Sequence, residues 1–308
     1  HKQTAYHGSD DSALYGAFFV DQDSKILTVS MDGRLTLFDA KDLSVIRQYE
    51  TEILYCWDVS EDLSQAVVQS YDSAEIIRIS DLSLVAKINK VRGDHVEIYP
   101  DNSRAIICNK NSEAKVYDMK TGQLLAEIPL EMTYAAVSPD GKTLACVVKE
   151  RTIHILDAET YQEIGVIDDF TVKAEKLIFD PQSKSLFAAL DDYSVRRYNI
   201  EDLSMIAELE GLQSIANVLT FNAEKDIFAI SGTYRETIVC HDSTNKKVAE
   251  INNAYVVDPD FGYFICMPGG DTIRLPFYSL RELMEEAQKQ LGGRTLTPKE
   301  KAKYFIAD

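Results

Sequence analysis

One short turn, repeated seven times, constrains this chain more than any other feature. Its clearest copy is Ser138-Pro139-Asp140-Gly141-Lys142, set between an apolar run at Tyr134 to Val137 and a β-rich run at Thr143 to Val148. Pro fixes φ at the first turn position and Gly supplies a positive φ later, so the chain reverses there for a stated reason. Earlier copies begin at Val20-Asp21, Val59-Ser60 and Tyr99-Pro100; later ones begin at Phe179-Asp180, Phe221-Asn222 and Val257-Asp258. A β-rich run follows each. A second mark recurs one hairpin later, as Phe38-Asp39, Ile79-Ser80, Tyr117-Asp118, Leu156-Asp157, Tyr198-Asn199 and His241-Asp242. Its polar members are 41, 38, 39, 42 and 43 residues apart.

A unit of about forty residues with four short strands has the length of a β-propeller blade. Seven copies therefore predict an all-β chain, a seven-bladed β-propeller of four-stranded blades spanning residues 1–276. First strands such as Ile53 to Val59 and Lys176 to Phe179 read as apolar and are expected around the central channel. Charged runs such as Val45-Ile46-Arg47-Gln48-Tyr49 and Leu124 to Ile128 are expected outside. The alternation in Arg34-Leu35-Thr36-Leu37-Phe38 has the strand period of two. The seventh blade, Ala254 to Leu275, lacks a fourth strand, and residues 3–7 (Gln3 to His7) are expected to supply it. Residues 277–308 change character. Ser279-Leu280-Arg281-Glu282 is a capping box; Leu280, Leu283, Met284, Ala287 and Leu291 share one helical face. A short helical tail packed on the propeller is predicted, with a second helix starting at Thr297-Pro298.

On these residues the chain resembles the WD-repeat propellers over roughly residues 12 to 276. The hydrophobic–Asp pairs stand where that family places Trp-Asp, and Ser138 to Lys142 matches its usual turn. The Gly-His pair ahead of the first strand is missing, and the single tryptophan, Trp57, lies off the Trp-Asp position. The segment Arg294-Thr295-Leu296-Thr297-Pro298-Lys299-Glu300 through Tyr304 is similar to the ending of bacterial multidomain signalling proteins that terminate in such repeats. That resemblance implies a C-terminal sensor or scaffold propeller whose upstream effector domain lies in the same polypeptide. The start at His1 agrees with an excised domain or a processed product.

Composition narrows the partners. Fifty acids against 32 Lys and Arg give a formal charge of −18, which repels a phosphate backbone, so nucleic acid is not expected. No run of eighteen apolar residues and no secretory leader occurs, so no membrane is expected. Cys56, Cys108, Cys146, Cys240 and Cys266 sit in strand-like apolar runs, odd in number and without CxxC spacing. Buried free thiols and a reducing, cytoplasmic setting follow. The five histidines form no HExxH, and nucleophile-elbow, phosphate-loop and dinucleotide glycine patterns are absent. No catalytic residue, metal or cofactor is expected.

Loops joining a fourth strand to the next blade, together with turns joining second to third strands, generally build a propeller's ligand face. Here the second-to-third turns carry Tyr71, Lys149, Arg151, Tyr193, Tyr234 and Arg235, and Tyr and Arg are the residue types that dominate interaction hot spots. These six are the expected protein-partner surface of a non-catalytic interaction module. The alternative is a propeller enzyme, lactonase- or hydrolase-like, with a metal or ligand in the channel. It requires several polar side chains converging from the first strands, which are mostly apolar with scattered polar exceptions such as Glu97 and Lys176. If residues 3–7 close the last blade, deleting residues 1–8 lowers the melting temperature by several degrees in a thermal melt; an unchanged melt refutes that closure.

Overall fold

The computed structural model of the chain describes residues 14–276, apart from 53, 170, 235, 252–253, 258–260, 262 and 267–272. All regular structure among the described residues is β-strand. They fall into two compact units, one up to Asn217 and one from Val218 onward.

In the first unit, β1 (Leu14–Val20), β2 (Lys25–Ser30), β3 (Arg34–Asp39) and β4 (Val45–Glu50) form an antiparallel meander, each strand paired with the next. The meander repeats in β5 (Cys56–Val59), β6 (Gln65–Gln69), β7 (Ser73–Arg78) and β8 (Ser83–Asn89). Seven strands then share one sheet: β9 (His95–Ile98), β10 (Arg104–Asn109), β11 (Ser112–Asp118), β12 (Leu124–Val137), β13 (Thr143–Val148), β14 (Thr152–Asp157) and β15 (Glu163–Ile167). A further meander comprises β16 (Ala174–Phe179), β17 (Ser185–Leu190), β18 (Val195–Asn199) and β19 (Met205–Leu209). The sheet leading into the second unit holds β20 (Ala216–Asn222), β21 (Ile227–Gly232), β22 (Thr237–His241) and β23 (Lys247–Ile251). A three-stranded sheet follows, β24 (Ala254–Val257), β25 (Tyr263–Cys266) and β26 (Ile273–Pro276).

Burial explains why the strands differ in composition. Several second strands are covered on both faces and lose alternation: all six residues of Ser185-Leu186-Phe187-Ala188-Ala189-Leu190 are buried, as a doubly covered strand requires. Fourth strands lie outermost and keep charge, as in Val45 to Glu50, where no residue is buried. Apolar clusters lie between neighbouring sheets. One joins Leu27, Val29, Leu35 and Leu37 of the first sheet to Ala66, Val68 and Ile77 of the second. Another joins Val147, Ile153 and Ile155 to Leu177, Leu186 and Leu190. In the second unit Ile227, Ala229 and Val239 pack on Phe261.

Two expectations are corrected. Leu124 to Ile128 and Tyr134 to Val137 were assigned to separate strands, but they form the single strand β12, paired with β11 on one side and β13 on the other. The intervening Pro-Leu-Glu-Met-Thr offers no glycine or Asx turn, so the chain continues through. Pro129, which has no N–H to donate, falls where the pairing jumps from Ala114↔Ile128 to Glu113↔Glu131. The second correction concerns register. Lys25 pairs with Asp39, Arg104 with Asp118, Thr143 with Asp157 and Ser185 with Asn199. The corresponding pair in the second sheet is Gln65 with Arg78, not Ser80, and in β21–β22 it is Ile227 with His241, not Asp242. Elsewhere the terminal carboxylate or amide accepts from the next turn's amides, for example Asp157 Oδ1 from Thr160 N at 2.7 Å. Arg78 cannot do so, and that turn keeps only the second bond of the pattern, Asp81 accepting from Ser83 N at 3.1 Å as Asp42 does from Ser44 N and Asp202 from Ser204 N.

The recurring turn behaves as its sequence states. Ser138 Oγ donates to Asp140 Oδ1 at 2.7 Å and accepts from Thr143 N at 2.9 Å, and Gly141 has φ +71°. The same slot is left-handed in the other copies of the first unit, at Asp23, Leu63, Asn102 and Ser183. Backbone geometry, not glycine, therefore defines this repeat. The proposed strand at residues 3–7 and the helical tail at 277–308 lie outside the described residues. A Cβ on Gly141 meets no atom within 4 Å, so Gly141→Ala isolates backbone strain. It lowers stability by about 1 kcal/mol in denaturant unfolding.

Candidate functional site

First strands of successive sheets lie alongside one another, β5 with β9, β9 with β12, and β12 with β16. Side chains at positions i and i+2 of a strand share a face. Counting back from equivalent turns, Cys56, His95, Tyr134 and Lys176 occupy one position of the repeat. Asp58, Glu97, Ala136 and Ile178 occupy the position two residues on. Neighbouring strands thereby bring two carboxylates, an imidazole, a phenol and an ammonium together, in strands expected to be apolar.

Each polar group is tied to the next strand. Asp58 Oδ2 accepts from Ile98 N at 2.7 Å while Oδ1 accepts from Val59 N at 2.8 Å. Glu97 repeats the arrangement one sheet later, with Oε1 accepting from Val137 N at 3.2 Å. Loss of water around Asp58 raises its carboxyl from 3.8 to about 6, against the lowering effect of those two amides and of Lys176. Glu97 is raised well above its ordinary value, first by desolvation and then by the Asp58 charge. Solvent still reaches 24% of the Glu97 side chain, so water screens part of that penalty.

His95 stacks on Tyr134, ring centroids 3.9 Å apart and planes 22° from parallel. Its Nε2 lies 2.8 Å from Ala135 O; a carbonyl only accepts, so Nε2 carries the proton and Nδ1 is bare. Desolvation lowers His95 from 6.5 to about 4, leaving it neutral. Lys176 Nζ donates to Asn217 O at 2.8 Å and to Asn217 Oδ1 at 2.7 Å, and desolvation lowers its pKa although Glu97 and Asp58 pull the other way. Two carboxyls pushed up, an imidazole pushed down and an amine pushed down, all by desolvation, thus lie on neighbouring strands. Among the described residues no three His, Cys, Asp or Glu side chains are placed to hold a metal ion.

The turn residues singled out from sequence sit as follows. Tyr71 lies between β6 and β7, Lys149 and Arg151 between β13 and β14, and Tyr193 between β17 and β18. Tyr234 lies between β21 and β22, and Arg235 falls outside the described residues. No hydrogen bond or ring contact joins Tyr71 to Lys149, Arg151 or Tyr193 among the described residues. Lys149 instead flanks a cleft with Lys110, Thr133 and Glu131. Tyr71 acquires two partners that sequence patterns did not flag. Its ring lies 6.1 Å from that of Tyr55, and the Arg92 guanidinium sits 4.7 Å from its centroid. Tyr55 and Tyr71 are 58% and 55% exposed.

The backbone beneath this trio is fixed by buried amides. Gln69 Nε2 donates to Ser70 O at 2.7 Å and to Val91 O at 3.0 Å, binding the Tyr71 turn to the Arg92 connector. Tyr55 N donates to Gln69 O at 2.9 Å, and Asn109 Nδ2 to Arg92 O at 3.1 Å. The signal available in sequence was an amide, Gln69, directly after the apolar run Ala66 to Val68; the structure buries it as an anchor.

Asp58 and His95 titrate with opposite sign. Asp58, raised in the fold, adds stability that is complete below 3.8 and is lost as pH rises through about 6. His95, depressed in the fold, adds stability that is complete above 6.5 and is lost as pH falls through about 4. From pH 6.5 to 4.5 the two offset each other. In melts across that range, His95→Gln therefore gains stability on acidification relative to the parent chain, and Asp58→Asn loses it. Three parallel curves contradict the assignment.

Comparison with known proteins bears on the fold alone. No protein-family model matches the chain, and no curated protein matches its sequence. Among solved structures it is similar to the β-propeller domain of Cps50 (Swd1) from Myceliophteria thermophila, with a TM-score of 0.67 at 11% sequence identity. The match covers 87% of this chain and 98% of that one. Joined to the four-stranded meanders described above, this likeness shows an all-β propeller fold.

Proposed function

We propose that the chain is a non-catalytic protein-interaction propeller, the sensor or scaffold part of a larger bacterial protein working in the cytoplasm. The observation that carries this is the Tyr55–Tyr71–Arg92 cluster. Three exposed side chains from three connectors meet over a backbone held by buried amides, so little conformational freedom is lost when a partner covers them. Tyr and Arg in such a setting are the residue types of binding hot spots. Lys149, Arg151, Tyr193 and Tyr234 occupy equivalent turns of other sheets and extend the same kind of surface. Seven blades follow from the seven turn copies, with the third and fourth blades continuous through β12. The resemblance of the segment from Arg294 to Tyr304 to signalling-protein endings supports an effector domain in the same polypeptide. No helix among the described residues is long and apolar enough to cross a membrane.

One observation favours a second reading. Asp58, Glu97, His95 and Lys176 converge from first strands with displaced proton affinities, which is the habit of acid–base catalysts. A lactone- or ester-hydrolysing site would use Glu97 as the acid and His95 Nδ1 as the base.

The two readings separate in one comparison. Affinity capture from the source cell uses the parent chain, a Tyr55→Ala/Tyr71→Ala/Arg92→Ala variant and a Glu97→Gln variant as baits. A protein held by the parent and by Glu97→Gln but lost from the triple variant supports the interaction module. Hydrolysis of ester and lactone substrates by the parent, abolished by Glu97→Gln and retained in the triple variant, supports the enzyme.

A further inference from the structure

A groove of about 350 Å³ opens between the first two sheets, at the ends of their strands away from Tyr71. Val20, Leu63 and Ile79 give it an apolar floor, and Lys25, Gln65 and Arg78 line its walls. Its size is that of a small-ligand pocket.

The corresponding place between the third and fourth repeats is filled. There Arg104, the first residue of β10, lies over the Tyr99 ring at 4.4 Å and donates to Tyr161 Oη at 3.3 Å and Ala158 O at 3.5 Å. It also pairs with Glu159 at 3.0 Å. Lys25 holds the same place in β2 but turns back to Asp21 at 2.9 Å. The residue facing it in the repeat position of Tyr161 is Leu82, which is buried in the core. Neither side chain bridges the gap, and the groove stays open.

The groove is also where the repeat breaks. Arg78 stands where β3, β11, β14 and β18 end in Asp39, Asp118, Asp157 and Asn199, so a cation replaces a capping acid. Half of its side chain is exposed, it donates to Ser83 Oγ at 2.9 Å, and its contact with Asp81 is long at 3.9 Å. Guanidinium donors are left for a further acceptor. Two acids also line the groove, and both are engaged: Asp21 by Lys25, and Asp62 by accepting from Ser60 Oγ at 2.8 Å and Ser64 N at 2.9 Å.

We infer that this groove binds an apolar carboxylate, its hydrocarbon body on Val20, Leu63 and Ile79 and its carboxylate on Arg78. The same chemistry is offered by a free medium-chain organic acid and by a Glu flanked by Leu in a peptide. The site is independent of the Tyr55–Tyr71–Arg92 surface and does not rest on it.

The test is a titration of the isotopically labelled full chain, followed through its amide NMR signals. The probes are hexanoate, acetate, hexan-1-ol and a capped Leu-Glu-Leu peptide, each at up to millimolar concentration. Binding of hexanoate that moves the Leu63, Gln65 and Ile79 amides, with hexanol and acetate weaker, is the expected result. Arg78→Gln then weakens hexanoate roughly tenfold, as loss of a charged hydrogen bond does, and leaves hexanol unchanged. A peptide tighter than hexanoate identifies a protein segment as the source; the reverse identifies a free acid. Absence of hexanoate binding overturns the inference. So do shifts away from the groove, or equal binding of hexanoate and hexanol. Because the map is made on the parent chain, a poorly folding variant does not blunt it.

Discussion

A four-stranded antiparallel sheet with two apolar faces is unstable until both are covered, and this requirement governs the whole chain. A second strand such as Ser185 to Leu190 is buried on both sides, and among the described residues its cover is a neighbouring sheet. Burying such a face contributes on the order of 25 cal/mol per Å² of apolar area, and no single sheet can realise that alone. A chain of near-identical meanders supplies each sheet with its neighbours, which is why the sequence repeats at about forty residues.

Apolar packing sets the sheets together but does not fix their mutual register, because side chains of similar size slide past one another cheaply. Polar ties supply the register. Asp58 and Glu97 each reach a backbone amide 40 residues further on, and His95 reaches a carbonyl at the same separation. Removing one partner strands a buried polar group, so each tie discriminates strongly against a shifted neighbour. The cost is desolvation, visible in the displaced proton affinities of all three groups. These residues therefore have a structural reason to exist, and any chemistry they perform is added to it.

Departures from the repeat are where the chain acquires individuality. A turn whose geometry is satisfied in several ways tolerates substitution, as the left-handed slot shows by accepting Asp23, Leu63, Asn102, Gly141 and Ser183. The second sheet uses this freedom at both ends. One end presents tyrosines and a guanidinium braced from below by Gln69. At the other, Arg78 replaces a capping acid and Leu82 leaves a groove that Tyr161 fills elsewhere.

Strand identity, repeat length and turn chemistry are local properties, fixed by periods of two and by residues that prefer bends, and the sequence by itself determined them. Even there, a turn-poor linker around Pro129 concealed a continuous strand, and the blade-two register slipped because Arg78 breaks the Asp pattern. What only the tertiary structure decided is which distant residues meet. Asp58 and Glu97 look unrelated along the chain and become neighbours because consecutive first strands lie side by side. Tyr71 was visible as an exposed turn tyrosine, yet its partners Tyr55 and Arg92 come from two other connectors, and no local pattern encodes that meeting. Likewise the open groove depends on a lysine turning back and a leucine turning inward. Such choices are made by packing between sheets, where free energy depends on the neighbour's shape and not on the strand's own sequence.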